Sequence, residues 1–263
     1  MRVTMATDTA HAERGNEDFA GAVPAAAVLV DGAGMIGIES ICRHGVAWYA
    51  TRLGGELLGL LSYAPEENLT ALLGEAIQRV TGSHRDTCDI TDPSSPSATV
   101  AILRIAGDRA DHLVLGDSVL IVDGPAGPLV VDDRREPDFR RPHEARLDAA
   151  APEDRERVLE EVIGELRAHR NQPGGFWIAK DDPRVAAEAF TGSHPIAELT
   201  GAALLSNGAS RFVDTFQLGS WRDLLEADPT DVIRRVRAAE KRGGVSPDDA
   251  TIAHCTDLHA ALF

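Results

Sequence analysis

The stretch Ala26-Ala27-Val28-Leu29-Val30-Asp31-Gly32-Ala33-Gly34 decides how the rest of the chain is read. Residues 26 to 30 form a short apolar run of the kind that makes a strand, and it stops abruptly at a carboxylate and a glycine-rich turn. Upstream, residues 2 to 6 read as another short strand. Downstream, the turn feeds a helix: apolar residues recur loosely at helical spacing between Glu39 and Leu61, and Leu69, Leu72, Leu73, Ile77 and Val80 mark a clearer amphipathic face. The pattern changes at Ala98. Runs from Ala98 to Ile105, His112 to Val122 and Leu129 to Val131, separated by Gly107-Asp108 and Asp123-Gly124-Pro125, predict an antiparallel meander. Glu153 to His169 is periodic enough for a helix, with Val158, Leu159, Val162, Ile163 and Leu166 on one face. Phe176 to Ala179 and Ala202 to Ser206 read as short buried strands. A helix from Asp231 to Lys241 then precedes a last strand, Ala250 to Cys255.

Strands and helices in blocks, rather than in strict alternation, point to an α+β fold layered around antiparallel sheets. No internal repeat and no linker rich in Pro, Gly or Ser divides the chain, so residues 1–263 are expected to form a single domain. The weakest stretches are Thr81 to Pro96 and Asp132 to Pro152. The second holds Arg134, Arg135, Arg140, Arg141 and Arg146, and reads as a solvated loop rather than a docking surface.

With 26 Lys+Arg against 42 Asp+Glu, the formal charge is −16, which argues against nucleic acid as a partner because phosphate backbones need a basic footprint. The longest apolar runs, Val23 to Val30 and Leu57 to Leu61, fall far short of the roughly 20 residues that span a bilayer, so no membrane segment is expected. The first ten residues lack the apolar core of a signal peptide, which predicts a cytoplasmic protein. Cys42, Cys88 and Cys255 are widely separated and odd in number, which predicts idle or buried thiols rather than disulfides or a zinc knuckle.

Acidic residues stand where this pattern turns from strand to loop: Glu17-Asp18, Asp31, Asp117 and Asp248-Asp249, with Ser206-Asn207-Gly208 a further candidate. Each alone is an ordinary turn residue. Gathered at strand ends, however, carboxylates repel one another unless cations hold them. Competing constellations are poorer. The histidines form no H-x-x-x-H pair for zinc, and no G-x-S-x-G elbow serves a serine hydrolase. Gly32-Ala33-Gly34-Met35-Ile36-Gly37 fits a dinucleotide fingerprint, but Asp31 precedes it directly and no βαβ unit follows with an acidic residue ~20 positions on.

In order along the chain, Asn16-Glu17-Asp18, Val30-Asp31-Gly32-Ala33-Gly34, Ser97-Ala98-Thr99, Gly116-Asp117-Ser118, Leu205-Ser206-Asn207-Gly208 and Asp248-Asp249-Ala250-Thr251 resemble the motifs of the metal-dependent protein phosphatases, the PPM or type 2C family. Arg170-Asn171-Gln172-Pro173-Gly174-Gly175-Phe176-Trp177 further resembles an actinobacterial branch of it. The resemblance implies a four-layer α-β-β-α sandwich of two antiparallel sheets flanked by helices, with a binuclear Mn2+ or Mg2+ site at one end. Carried over residue by residue, Asp31 would bridge two metals, Glu17 and the Gly32 carbonyl would hold one, and Asn207 and Asp248 the other. Asp117 would serve a weaker third ion, and Asp18 would support the ligands from behind. The implied activity is hydrolysis of phosphoserine and phosphothreonine in protein substrates by a metal-activated bridging water, without a phosphoenzyme.

The chain departs from that pattern in several places. Asn207 stands where the family has Asp, so a charged ligand becomes a neutral amide and its cation should bind more weakly. The phosphate-binding arginine of the family lies four residues before the Glu, where this chain has Glu13. Arg14, three before, is either that contact, reached by a one-residue loop adjustment, or a surface arginine. Val119, Met35 and Ser97 replace an Arg and two Gly of the motifs. These departures leave open a pseudophosphatase that binds metal or phosphopeptide without turnover, and a phosphatase acting on a small phosphorylated metabolite.

Overall fold

The structure is a computed structural model that describes residues 1–11, 13, 15–34 and 41–259. One five-stranded sheet runs β1 (Arg2–Asp8), β10 (Ala250–Thr256), β9 (Gly201–Leu205), β6 (Val119–Gly124) and β7 (Gly127–Asp132). The other runs β2 (Asp18–Val23), β3 (Ala26–Ala33), β4 (Ser97–Ala106), β5 (Arg109–Leu115) and β8 (Phe190–Pro195). Every strand pairing is antiparallel. Helices α1 (Gly45–Tyr63) and α2 (Leu69–His84) cover the second sheet, and α6 (Trp221–Glu226) and α7 (Pro229–Gly243) cover the first. The result is the expected α-β-β-α sandwich.

Strand alternation explains the layers. Side chains two apart share a face, so Val28 and Val30 of β3 join Tyr49, Leu53, Leu57, Leu73 and Ile77 beneath α1 and α2. Ala27 and Leu29 instead enter the slab between the sheets, against Ala101, Leu103, Leu120, Leu204 and Ala253. On the far side, Ile121, Leu205 and Ile252 meet Leu224 of α6 and Val232, Ile233 and Val236 of α7. Each fully buried Val, Leu or Ile among them contributes ~1.5–3 kcal/mol by leaving water. Trp48 and Trp177 pack against the first of these clusters and Trp221 against the last.

The expected meander breaks at Gly116-Asp117. β4 and β5 pair, but β6 crosses to the other sheet and lies between β9 and β7. Gly116 makes the crossover: its φ is +77°, and a Cβ there would stand 2.5 Å from Thr99 Cγ2. The apolar run hides the break because both strands are buried. Phe176 to Ala179 is not a strand; it makes only isolated bridges, Phe176 to Arg170 and Ala179 to Ala98.

The expected loop over residues 132–152 contains helix α3 (Arg135–Asp148), which buries no residue and so shows no apolar period. Its arginines are engaged rather than bare: Arg135 pairs with Asp133 and Glu188, Arg140 with Glu136 and Glu144, and Arg146 with Glu165 of helix α4 (Arg155–His169). Strands β2 and β8, half-exposed and poor in large apolar residues, were not expected. Among the described residues no helix is long and apolar enough to cross a membrane.

Candidate functional site

The inner faces of the two sheets change from apolar to polar at one end of the sandwich. Along β3, Ala27 and Leu29 are followed on the same face by Asp31. Thr99 extends the face of Ala101 and Leu103, and Ser118 that of Leu120 and Val122. Ser206 extends the face of Leu204, and Thr251 that of Ala253. Hydrogen bonds stitch this end together: Thr99 Oγ1 to Ser118 Oγ at 2.6 Å joins the two sheets, and Thr251 N to Ser206 Oγ at 2.9 Å joins β10 to the end of β9 within one of them.

A cleft of ≈680 Å³ opens above this polar floor, and Glu17, Asp31, Gly32, Asp117, Asn207 and Asp248 all line it. Residues far apart in sequence thus line one cleft. The short helix α5 (Asn207–Ser210) starts directly over Asp31, whose Oδ2 accepts the Asn207 backbone N–H at 2.8 Å. The Asn207 side-chain amide donates to Asp117 Oδ2, also at 2.8 Å. Gly32 and Glu17 are locked together: Gly32 N donates to Glu17 O at 3.1 Å, and a Cβ on Gly32 would stand 2.4 Å from that oxygen. Asp249, read from the sequence only as Asp248's neighbour, holds this segment in place by accepting Glu17 N and Ala10 N, each at 2.6 Å.

Asp18 does not line the cleft. It pairs with Asp31 across β2 and β3 and sits behind it. Among the described residues no hydrogen bond of ordinary geometry reaches either of its carboxylate oxygens. Burial pushes its pKa up to about 7; the Thr251 and Ser206 hydroxyls offset part of that, and Asp249 and Asp248 add to it. Asp31 is raised well above the usual carboxylate range by burial, then by the charges of Asp18 and Asp117. Asp117 is raised by burial, against the opposing pull of Arg140 and Asn207. A group of carboxylates held mutually unfavourable in this way is short of positive charge.

The sequence reading gave no site role to several cleft residues. Glu136, Arg140 and Glu144 lie one turn apart along α3, a spacing visible in the sequence but submerged in what looked like a loop. Arg140 stands 3.7 Å from Asp117 Oδ2 and 3.0 Å from Glu136 Oε2, and burial with the Asp117 charge pushes Glu136 up to about 7. Arg211 donates to Asp248 Oδ2 at 3.0 Å and to the buried Glu240 at 2.9 Å, tying the cleft to α7. Arg14 lies outside the described residues.

A scan against protein-family models matches none, and no curated protein matches the sequence. Solved structures do match over nearly the whole chain. The catalytic domain of the serine/threonine protein phosphatase PstP, in complex with two manganese ions, superposes with a TM-score of 0.61 at 17% identity, covering 97% of both chains. The chain has the fold of the bacterial PP2C-type serine/threonine phosphatases. Mycobacterium tuberculosis PstP/Ppp (TM-score 0.59, 18% identity, 97% of both chains) and Staphylococcus aureus Stp1 (0.59, 15%, 97% of this chain and 94% of that one) share it. In this PP2C fold the cleft lies at the polar end of the sandwich, where β3, β9 and β10 and the β5–β6 crossover meet.

The donor set fits hard divalent cations. Among the described residues the cleft is lined by carboxylate and amide side chains, and no thiol or imidazole lines it. Its raised carboxylates, with the orphaned Asp18 behind them, are what such cations would relieve.

Proposed function

We propose that the chain is a metal-dependent phosphomonoester hydrolase acting on phosphoserine and phosphothreonine in protein substrates. The observation that supports this best is the convergence of Glu17, Asp31, Asp117, Asn207 and Asp248 on one cleft of a PP2C fold. Asp31, Glu17 and the Gly32 carbonyl would hold one Mn2+ or Mg2+ ion, Asp31 with Asn207 and Asp248 a second, and Asp117 a third. When bound, these ions supply an activated water and neutralise phosphate charge.

The chain's own residues do the rest. Asp18 raises the charge density behind Asp31 and so favours cation capture. Asp249 fixes the backbone of Glu17. Arg14 contacts the substrate phosphate, where a guanidinium can donate two hydrogen bonds at once. Titrating the protein with Mn2+ while following hydrolysis of an aryl phosphate, and then of phosphopeptides against small phosphomonoesters, tests both the activity and the substrate class.

A second reading has its own support. Asn207 donates to Asp117, and Arg211 already pairs with Asp248. Part of the charge that cations would balance is therefore balanced by the protein. A pseudophosphatase that binds phosphopeptide or metal without turnover would have this arrangement, and the same titration separates it from the enzyme.

A further inference from the structure

Away from the cleft, Cys42, His44 and Cys88 converge from two separate pieces of chain. Cys42 and His44 lead into α1, and Cys88 follows α2; a backbone hydrogen bond from Asp89 N to Ile41 O at 3.2 Å joins the two pieces. His44 Nδ1 is 3.3 Å from Cys88 Sγ and 3.9 Å from Cys42 Sγ. All three donor atoms lie within 4.8 Å of one another. We propose that Cys42, His44 and Cys88 form a binding site for Zn2+, separate from the carboxylate cleft.

The spacing suits that ion. Tetrahedral zinc with Zn–S of about 2.3 Å and Zn–N of about 2.0–2.1 Å places nitrogen and sulfur ligands about 3.6 Å apart. The two observed N···S separations straddle this, so the cation enters with shifts of a few tenths of an ångström. The imidazole is orientated by stacking on Trp48, with ring centroids 4.4 Å apart. Cys42 is buried, while His44 and Cys88 are half-buried, which leaves a route for the ion. Thiolate and imidazole select zinc where the oxygen-lined cleft selects Mn2+ or Mg2+, so the two sites sort cations by softness.

Binding displaces one proton from each thiol to solvent. His44 gives its Nδ1 lone pair and keeps its proton on Nε2, and a water takes the fourth position. The site would also bear on the cleft. Val46, just beyond His44, packs so closely on Gly32 that a Cβ there would come within 2.6 Å of Val46 Cγ1. A cation at Cys42, His44 and Cys88 would therefore hold the start of α1 against the strand end that carries Asp31.

Co2+ is the spectroscopic probe for this site. Added to the reduced full-length protein in excess Mn2+, one equivalent should give a thiolate-to-cobalt charge-transfer band that Zn2+ displaces. The band should survive in Asp31→Asn and vanish in Cys88→Ser, a half-buried position where loss of fold is checked by circular dichroism. In the wild type, Zn2+ should also protect Cys88 from alkylation, which needs no variant. Absence of the band, its persistence in Cys88→Ser, or a Cys42–Cys88 disulfide formed in air by a protein whose reduced form takes up no Co2+ would each overturn the proposal.

Discussion

The Asn207 side-chain amide donates to a carboxylate oxygen of Asp117 at 2.8 Å while its backbone N–H donates to Asp31 at the same distance. One residue thereby satisfies two carboxylates that burial and mutual repulsion disfavour. An aspartate there would turn the first contact into a clash of like charges that only a cation relieves.

Asn207→Asp should accordingly destabilise the metal-free protein by roughly 1–3 kcal/mol, the cost of leaving a buried polar group unsatisfied, and should tighten Mn2+ binding. Thermal melts with and without millimolar Mn2+ check both: the metal-induced rise in Tm should be larger in the variant than in the wild type. An equal rise in the two forms would place Asn207 outside the ligand set.

Asp18 should leave a pH signature in the metal-free protein. Its pKa is about 7 in the folded chain against the ordinary aspartate value of 3.8. Between those values the folded chain therefore binds a proton that the unfolded chain gives up, so this contribution to stability grows as pH falls from 7 toward 4. His112, lowered to about 4 by burial and then by His194, acts in the opposite sense as pH falls below 6.5. The comparison must be between wild type and Asp18→Asn, in which the effect of His112 cancels. The variant should be the more stable at pH 8, and its advantage should shrink steadily toward pH 4. A difference that does not vary with pH would contradict the buried, unpaired carboxylate.

Two glycines predict opposite outcomes for the same substitution. Gly32→Ala would drive a Cβ to 2.4 Å from Glu17 O and 2.6 Å from Val46 Cγ1; overpacking of this kind costs ~1–3 kcal/mol, and it should also weaken Mn2+ binding. Gly55, on the exposed face of α1, has nothing within 4 Å of an added Cβ. Gly55→Ala should stabilise by ~0.5–1 kcal/mol with Mn2+ affinity unchanged. Chemical denaturation and Mn2+ titration of both variants provide the check.

Arg14→Ala should raise KM for a phosphorylated substrate and leave Mn2+ affinity unchanged, because the residue lies outside the proposed carboxylate set. A wild-type KM would return Arg14 to the surface.

What could be read in the sequence follows from which forces leave a periodic trace. Val28 to Val30, Leu72 to Val80 and Val232 to Val236 bury apolar faces, so their strands and helices stand out. Asp31, Asp117 and Asp248 stood out too, because each follows or precedes an apolar run. α3 left no trace, since it is held by ion pairs and buries no apolar face. Its cleft-facing Glu136 and Arg140 were lost with it. The crossover at Gly116 was also hidden, because β5 and β6 are equally apolar and only the positive φ marks the change of sheet. The convergence of Cys42, His44 and Cys88 is tertiary, created by packing α1 beside α2, and their sequence spacing gives no hint of it.

The central claim is tested most directly by the initial rate of aryl phosphate hydrolysis as a function of Mn2+ concentration, measured for the wild type, Asn207→Asp and Asp31→Asn. Saturable, Mn2+-dependent turnover is predicted for the wild type and none for Asp31→Asn. Asn207→Asp should reach saturation at lower Mn2+ and turn over at least about tenfold faster, equivalent to ~1.4 kcal/mol of recovered transition-state stabilisation. No hydrolysis by the wild type or by Asn207→Asp at any Mn2+ concentration would contradict the catalytic account and leave the cleft a binding site.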